Sequence, residues 1–212
     1  VTDGKILTLE AHGRSYDLWT WPGKIRKCME AGIPYEKSLL ESVYKAGFKG
    51  RAIDGGANLG NHSMWFARIC GLLVEAFEPV WPGHLLSNVE RNDMHDFVKV
   101  HPCGLSDAQG VGEHVGKGRL ASGKGALELQ PLDSFEFDGV VLIKLDIEGM
   151  EPAALRGAEH TIRTQRPVLY IEAWGQPEHD AHEAILSKWG YRVTGEYRHS
   201  KGSTLMVKWE HA

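Results

Sequence analysis

Cysteine is scarce in this chain of 212 residues: Cys28, Cys70 and Cys103 are widely spaced and odd in number. They build neither a disulfide framework nor a zinc-ligand spacing, and read as reduced thiols of a cytoplasmic protein. No apolar run reaches the length of a membrane span. No basic-then-apolar signal pattern opens the chain, although a start at Val1 leaves a removed leader open. Positive charge is not in excess. Lys and Arg number 24 against 28 Asp and Glu, a net −4 that argues against a nucleic-acid footprint spread over the surface. The eleven histidines never form His-x-x-x-His with an acidic partner, so no dedicated metal cage is expected. Internal repeats are lacking too. What is present, 42% apolar and 25% charged residues, is the composition of one globular domain large enough to bury a core.

The organising stretch is Arg51-Ala-Ile-Asp-Gly-Gly-Ala-Asn-Leu-Gly-Asn-His-Ser-Met-Trp-Phe-Ala67. An apolar strand runs into Asp54, then a small-residue turn with Gly55, Gly56, Ala57 and Gly60, then a helix that Asn61 or Ser63 would cap. Glycines let a ligand lie against bare backbone, and a helix start offers unpaired N–H donors. A dinucleotide fingerprint is excluded by Asn58, which stands where the second glycine belongs; a phosphate-cradling loop lacks its Gly-Lys-Ser/Thr ending. Asp54 at the strand tip would repel a pyrophosphate and welcome an ammonium. A ligand with a cationic amino-acid end and a nucleoside end, such as S-adenosylmethionine, fits; a plain strand-to-helix turn is the competing reading.

Ahead of this lie two short strands (5–11 and 15–21) forming a hairpin flap, a helix at 24–31, and a stronger helix opened by Pro34 and stopped by Gly47. After it come apolar strands at 72–77, 97–101, 139–146 and 167–173, with helices at 83–92, after Gly149 and at 178–189. Leu85, Leu86 and Val89 are expected inward. The glycine-rich segment 108–131, with Lys117, Arg119 and Lys124, reads as a mobile excursion from the sheet. Strands 190–198 and 203–209 are joined at Ser200-Lys-Gly202, too close for a helical crossover, so they should be antiparallel. The alternation predicts a doubly wound α/β sheet in a single domain over 1–212. Residues 1–48 form a small N-terminal β-hairpin/helical extension and 49–212 the core.

Four strands end in an acid: Asp54, Glu78, Asp146 and Glu172. Acids converging on one sheet edge repel one another unless a ligand, a metal or protonation offsets the charge. Glu78 lies 24 residues after Asp54, about where such folds place the acid that binds ribose hydroxyls; a helix-cap or surface acid is the alternative. Lys144 and Asp146 share a strand face, roughly 6–7 Å apart. They read as a partly buried ion pair, as the group beside a reacting hydroxyl, or as both. Glu148 suits either a helix N-terminus or a base. Glu172 is a pocket wall or, with Asp146, a ligand for a divalent ion. His62 reads as solvent-facing, and Trp81 and Trp174 as core or as stacking faces.

Ile-Asp-Gly-Gly-Ala-Asn-Leu-Gly-Asn-His-Ser, Ala-Phe-Glu-Pro, Leu-Asp-Ser-Phe, Leu-Ile-Lys-Leu-Asp-Ile-Glu-Gly-Met-Glu and Leu-Arg-Gly-Ala together resemble the FkbM family of S-adenosylmethionine-dependent methyltransferases, from about residue 40 to 175. The resemblance implies a class I methyltransferase (Rossmann-like) sheet of seven strands, the last antiparallel, and O-methylation of a sugar, polysaccharide or polyketide-like hydroxyl. It puts Asp54, Gly56, Ala57, Asn58 and Gly60 on the cofactor loop, Glu78 and Pro79 at the ribose, and Ser106 and Asp107 near the adenine. Lys144, Asp146 and Glu148 fall on the methyl-transfer segment, with Asp146 also touching cofactor. Gly55 departs from the family's more usual apolar residue and should loosen the turn. The implied partners are a small molecule or glycan, without nucleic acid or membrane. Magnesium is an option rather than an expectation. The rivals are a Mg-assisted enzyme using Asp146 and Glu172, a non-catalytic cofactor-binding module, and a dehydrogenase, which the missing glycine disfavours.

Overall fold

A computed structural model describes residues 3–114, 120–122, 125–198 and 204–212. The chain opens with an antiparallel hairpin, β1 (Lys5–Ala11) and β2 (Arg14–Thr20), turned at His12-Gly13, whose positive φ angles of 50° and 72° match the right-handed twist of the strands. Two helices follow, α1 (Lys24–Glu30) and α2 (Lys37–Ala46), the latter closed by Gly47 in the left-handed region. Pro34 does not open α2: the chain first makes a turn through Tyr35 and Glu36, and the helix starts three residues beyond the proline.

The core alternates strands and helices: β3 (Arg51–Gly55), α3 (Asn61–Met64) widening into a π-helical turn over Trp65–Ile69, β4 (Leu73–Phe77), α4 (Pro82–Arg91) and β5 (Val98–His101). Next comes a small four-stranded sheet of β6 (Gly104–Leu105), β7 (Gly110–His114), β8 (Leu120–Ser122) and β9 (Leu127–Gln130), in the order β6-β9-β7-β8. The 108–131 excursion thus has a sheet of its own in its described parts, while Lys117, Arg119 and Lys124 fall outside the described residues, as does the Ser200–Gly202 joint. β10 (Val140–Leu145), α5 (Glu151–Arg156), α6 (Glu159–Gln165), β11 (Val168–Trp174), α7 (Gln176–Leu186), β12 (Tyr191–Arg198) and β13 (Thr204–His211) complete the chain. The helix expected after Gly149 is broken at Gly157, whose backbone packs so closely on β6 that a side chain there would sit 1.8 Å from the Ser106 carbonyl oxygen.

Seven strands form the main sheet in the order β12-β13-β11-β10-β3-β4-β5, parallel from β11 to β5 and antiparallel where β13 inserts between β11 and β12. Strand alternation sorts the core into two layers. Ala52, Val74 and Leu142 face α2, α3 and α4, whereas Ile53, Ile143 and Leu145 face α5, α6 and the small sheet. Glu75, the acid that interrupts β4, is held on both sides by Arg51 of β3 and by His101 of β5 (2.6 Å). Leu86 faces out, in contrast to buried Leu85 and Val89. No described helix is long and apolar enough to cross a membrane.

The hairpin is not a free flap. Leu9, Tyr16 and Leu18 enter the core, and the open edge of β2 is capped by amides from α4. Asn88 accepts the Trp19 N–H (2.7 Å) and donates to its carbonyl (3.2 Å); Asn92 does the same for Asp17 at 2.7 Å each. The match is geometric. Four helical residues rise about 6 Å and two strand residues about 6.6 Å, so the pair substitutes for a missing strand and blocks the edge. Asn88 also donates to Leu59 O (2.8 Å), tying the hairpin to the glycine turn. Asn88→Ala should lower unfolding stability by about 2–4 kcal/mol, since three backbone groups, one buried and two partly buried, lose their partner. Urea titration should show a lower midpoint with an unchanged slope.

Candidate active site

The β3–α3 turn is folded onto its neighbours rather than left open. The N–H groups of Gly56 and Ala57 both donate to Phe77 O (3.0 Å), and that of Asn58 donates to Glu78 Oε2 (2.8 Å). The first donors expected to meet a ligand are therefore already used, which removes the anion nest and leaves a floor for an uncharged or cationic group. Gly56, at φ 74°, passes so close to β10 that a Cβ would lie 1.9 Å from Asp146 O. Gly55 tightens the turn rather than loosening it, because Leu145 Cδ2 occupies the space a side chain would need. Gly60 (φ 93°) is the residue before α3, so Asn61 and Ser63 lie inside the helix instead of capping it.

Beneath the turn, Asp54 and Lys144 are Cα partners on adjacent parallel strands and both are fully buried. Lys144 Nζ lies 3.0 Å from Asp54 Oδ1 and donates to Gly55 O (3.0 Å) and Gly56 O (2.9 Å). Ser63 Oγ donates to Asp54 Oδ2 (2.6 Å). Burial works against the ammonium, yet the charges of Asp54 and Asp146 outweigh it and hold the Lys144 pKa above its ordinary value. Asp54 cannot receive a ligand ammonium because a lysine of the chain already fills that place. Lys144, read as a methyl-transfer residue, is spent on the turn and does not line the cleft above it.

Above them opens a cleft of about 340 Å³ at the tips of β3, β4 and β10, lined by Gly56, Ala57, Asn58, Glu78, Pro79, Asp146 and Glu148 among the expected residues. Glu78 is fixed by backbone: Oε2 takes the Asn58 N–H, and Oε1 the N–H groups of Val80 (2.8 Å) and Trp81 (3.0 Å). A carboxylate has about four acceptor sites, so one remains for hydroxyl groups. Ser106 and Asp107 do not line the cleft. Ser106 is buried under Gly157, and Asp107 is drawn outward to Arg156 (3.0 Å), which holds its carboxyl below the usual range.

At the β10 tip the carboxyl oxygens of Asp146, Glu148 and Glu172 lie within 4.8 Å of one another. Burial, then the Asp146 charge, pushes the Glu172 pKa up to about 10, so Glu172 keeps its proton at neutral pH and removes one of three repelling charges. Glu148 sits at φ 58°, an uncommon backbone state for a residue with a side chain. Buried Glu151 enforces that loop: Oε1 accepts the Ile147 N–H (2.8 Å) and Oε2 the Gly149 N–H (2.9 Å). Sequence reasoning passed over Glu151, although an acid two residues past the Glu-Gly turn is the signal of a loop that needs an acceptor.

The outer wall comes from the N-terminal extension: Trp21, Lys24, Ile25 and Tyr35 line the same cleft. Trp21 meets the half-exposed Trp81 edge-on (5.4 Å). His62, expected in solvent, is buried in the cleft wall with Nε2 2.9 Å from Glu36 Oε2. The extension folds back over α3 and carries Glu36 to it, an approach that no local pattern announces.

A parallel sheet with one inserted antiparallel strand, and an acid-lined cleft beyond its strand tips, is the Rossmann-like architecture of class I methyltransferases. The chain belongs to the methyltransferase FkbM domain family, whose model matches residues 54–193. It resembles the crystal structure of methyltransferase FkbM from Methylobacillus flagellatus KT at 22% identity and a TM-score of 0.58, over 77% of this chain and 44% of that one. The chain thus spans less than half the length of that relative. It also resembles a human methyltransferase 10 domain containing protein (13% identity, TM-score 0.54, 97% and 89% of the two chains). A third likeness is to the catalytic domain of human Mettl16 in complex with the MAT2A 3'UTR hairpin 6 (12%, TM-score 0.54, 84% and 70%). These identities speak for the fold. No curated protein matches the chain significantly.

Lys144→Met should destabilise the protein by about 3–5 kcal/mol by leaving Asp54 buried and uncompensated, and Asp54→Leu combined with Lys144→Met should recover most of the loss. Denaturant unfolding of both variants checks this. For Glu172, the folded-state pKa lies above the ordinary value of 4.5, so its contribution is full below pH 4.5 and fades as pH rises toward about 10. Wild-type stability should fall through that window with a slope of up to about 1.4 kcal/mol per pH unit. Glu172→Gln, which mimics the neutral acid, should remove that slope in urea unfolding at pH 5, 7 and 9.

Proposed function

We propose that the chain is an S-adenosylmethionine-dependent O-methyltransferase acting in the cytoplasm on a hydroxyl of a sugar, polysaccharide or polyketide-like small molecule. The observation carrying this reading is that one cleft holds both the backbone-fixed Glu78 carboxylate and, across the glycine turn, Asp146 and Glu148, with buried Glu172 close beside them. The donor set fits the cofactor: Glu78 retains acceptor capacity for ribose hydroxyls, Gly56–Asn58 offer a bare floor, and the acids favour a cation. When bound, S-adenosylmethionine supplies a methyl group on a sulfonium leaving group. The protein's part is alignment of the acceptor and removal of its proton.

In this reading Asp146 accepts the hydroxyl proton, with Glu148 as the second candidate, while Glu172, already protonated, keeps the pair from being crowded by a third charge. Lys144 and Asp54 hold the turn that carries the floor. Tyr35 and Trp21 close the outer side against water. The net charge of −4 and the acidic cleft favour a small acceptor over a polynucleotide. The three converging carboxyls also support a second reading, in which a divalent ion is held by Asp146, Glu148 and Glu172.

Calorimetry with S-adenosylmethionine should show binding by the wild type and a loss on the order of 100-fold for Glu78→Ala, as expected for charge-assisted hydrogen bonds. Asp146→Asn should keep that binding and lose about 100-fold or more in methyl transfer. Folded wild type that does not bind the cofactor would sink the reading. Turnover abolished by chelator and restored by magnesium would select the metal-assisted form, and binding without turnover over a hydroxyl-acceptor panel the non-catalytic one.

A further inference from the structure

Behind the acidic cleft lies a second one, of about 390 Å³, between α1, the segment leading into α2 and the β12–β13 pair. The two adjoin: Lys24 lines both, and consecutive residues Tyr35 and Glu36 line the first and the second. Their charges are opposite. The first holds Glu78, Asp146 and Glu148 against Lys24, whereas the second gathers Lys24, Lys27 and Lys37 against Glu36, with Arg198 at its rim paired to Glu196 (3.7 Å). Glu36 is itself engaged by His62, and none of the three lysines pairs with a carboxylate among the described residues. In a chain of net −4 this is a local inversion of sign around an apolar floor of Leu39 and Met206. Unpaired cations around a concave, partly apolar surface focus field on an anion, and ammonium and guanidinium groups are the side chains that hold oxyanions.

We propose that the second cleft binds an oxyanion group, a phosphate ester or a carboxylate, on the acceptor, so that the acceptor lies with its charge among the lysines and its hydroxyl past Lys24 at Asp146. This rests on the methyl-transfer reading and narrows its substrate to an anionic, partly apolar small molecule. It also explains how two ligands of unlike charge are kept apart: the sulfonium cofactor is drawn to the acids and the acceptor to the bases.

The test uses the full chain and inorganic phosphate and glucuronate as probes, read by NMR of the lysine side chains. Phosphate or glucuronate should shift the signals of Lys24, Lys27 and Lys37 at low salt and lose affinity as salt rises. Lys27→Gln/Lys37→Gln should weaken that binding on the order of tenfold or more. The stronger probe tells whether a phosphate or a carboxylate is preferred. In turnover, a hexose phosphate or a uronate should be methylated in preference to the neutral hexose, and the double variant should raise KM for it with little change in kcat. Absence of lysine shifts with either anion, or equal affinity in the double variant, overturns the site. Calorimetry of S-adenosylmethionine on the same samples separates the two levels: anion binding without cofactor binding removes the acceptor role while leaving an anion site. A single-stranded RNA methylated in preference to the small anions overturns the small-molecule class.

Discussion

The pairing of Lys144 with Asp54 is the constraint on which the site depends. A lysine in the most apolar strand of the sheet is tolerable only if its charge is met, and its three neighbours do so: one carboxylate and the carbonyls of Gly55 and Gly56. Those carbonyls belong to the turn that forms the cleft floor. The turn's N–H groups are drawn at the same time to the β4 carbonyl and to Glu78. Held from β10 on one side and β4 on the other, the turn has little freedom left. The floor is therefore built before any ligand arrives, which is how a site limits the ordering cost of binding.

The acids at the sheet edge manage their repulsion by three separate means. Asp54 is neutralised by a lysine, Glu78 is dissipated into three backbone donors, and Glu172 keeps its proton. Asp146 and Glu148 are left facing the cleft. An edge that looks uniformly acidic in sequence is thus graded by depth, and charge is retained where a reacting group would meet it.

The positions of the main strands and helices were legible because apolar periodicity and turn residues are local signals, and the glycine turn with Glu78 24 residues beyond Asp54 could be placed on the same basis. What escaped was decided by partners distant in sequence. Asp54 looked like a ligand site because its lysine lies 90 positions further on in a neighbouring strand; the i,i+2 rule pointed to Asp146 instead, and cross-strand register prevailed. His62 was read as solvent-facing because nothing near it announces Glu36. Ser106 and Asp107 follow β6 of the small sheet, where the glycine between α5 and α6 packs on Ser106 and Arg156 draws Asp107 outward. Asn88 and Asn92 are ordinary helix-surface residues in sequence, and only the hairpin edge gives them a task.

That asparagine clasp also sets an order of events. Trp19 and Asp17 are bonded to residues 69 and 75 positions further along, so the outer edge of the hairpin is closed only once α4 has formed and reached it. Closing so long a loop carries an entropic cost that local hairpin formation does not. The outer wall of the cleft, Trp21 through Tyr35, is strung between that hairpin and α2. Its floor is pinned by Lys144 from 89 positions beyond Gly55, so wall and floor alike are completed by contacts between distant parts of the chain.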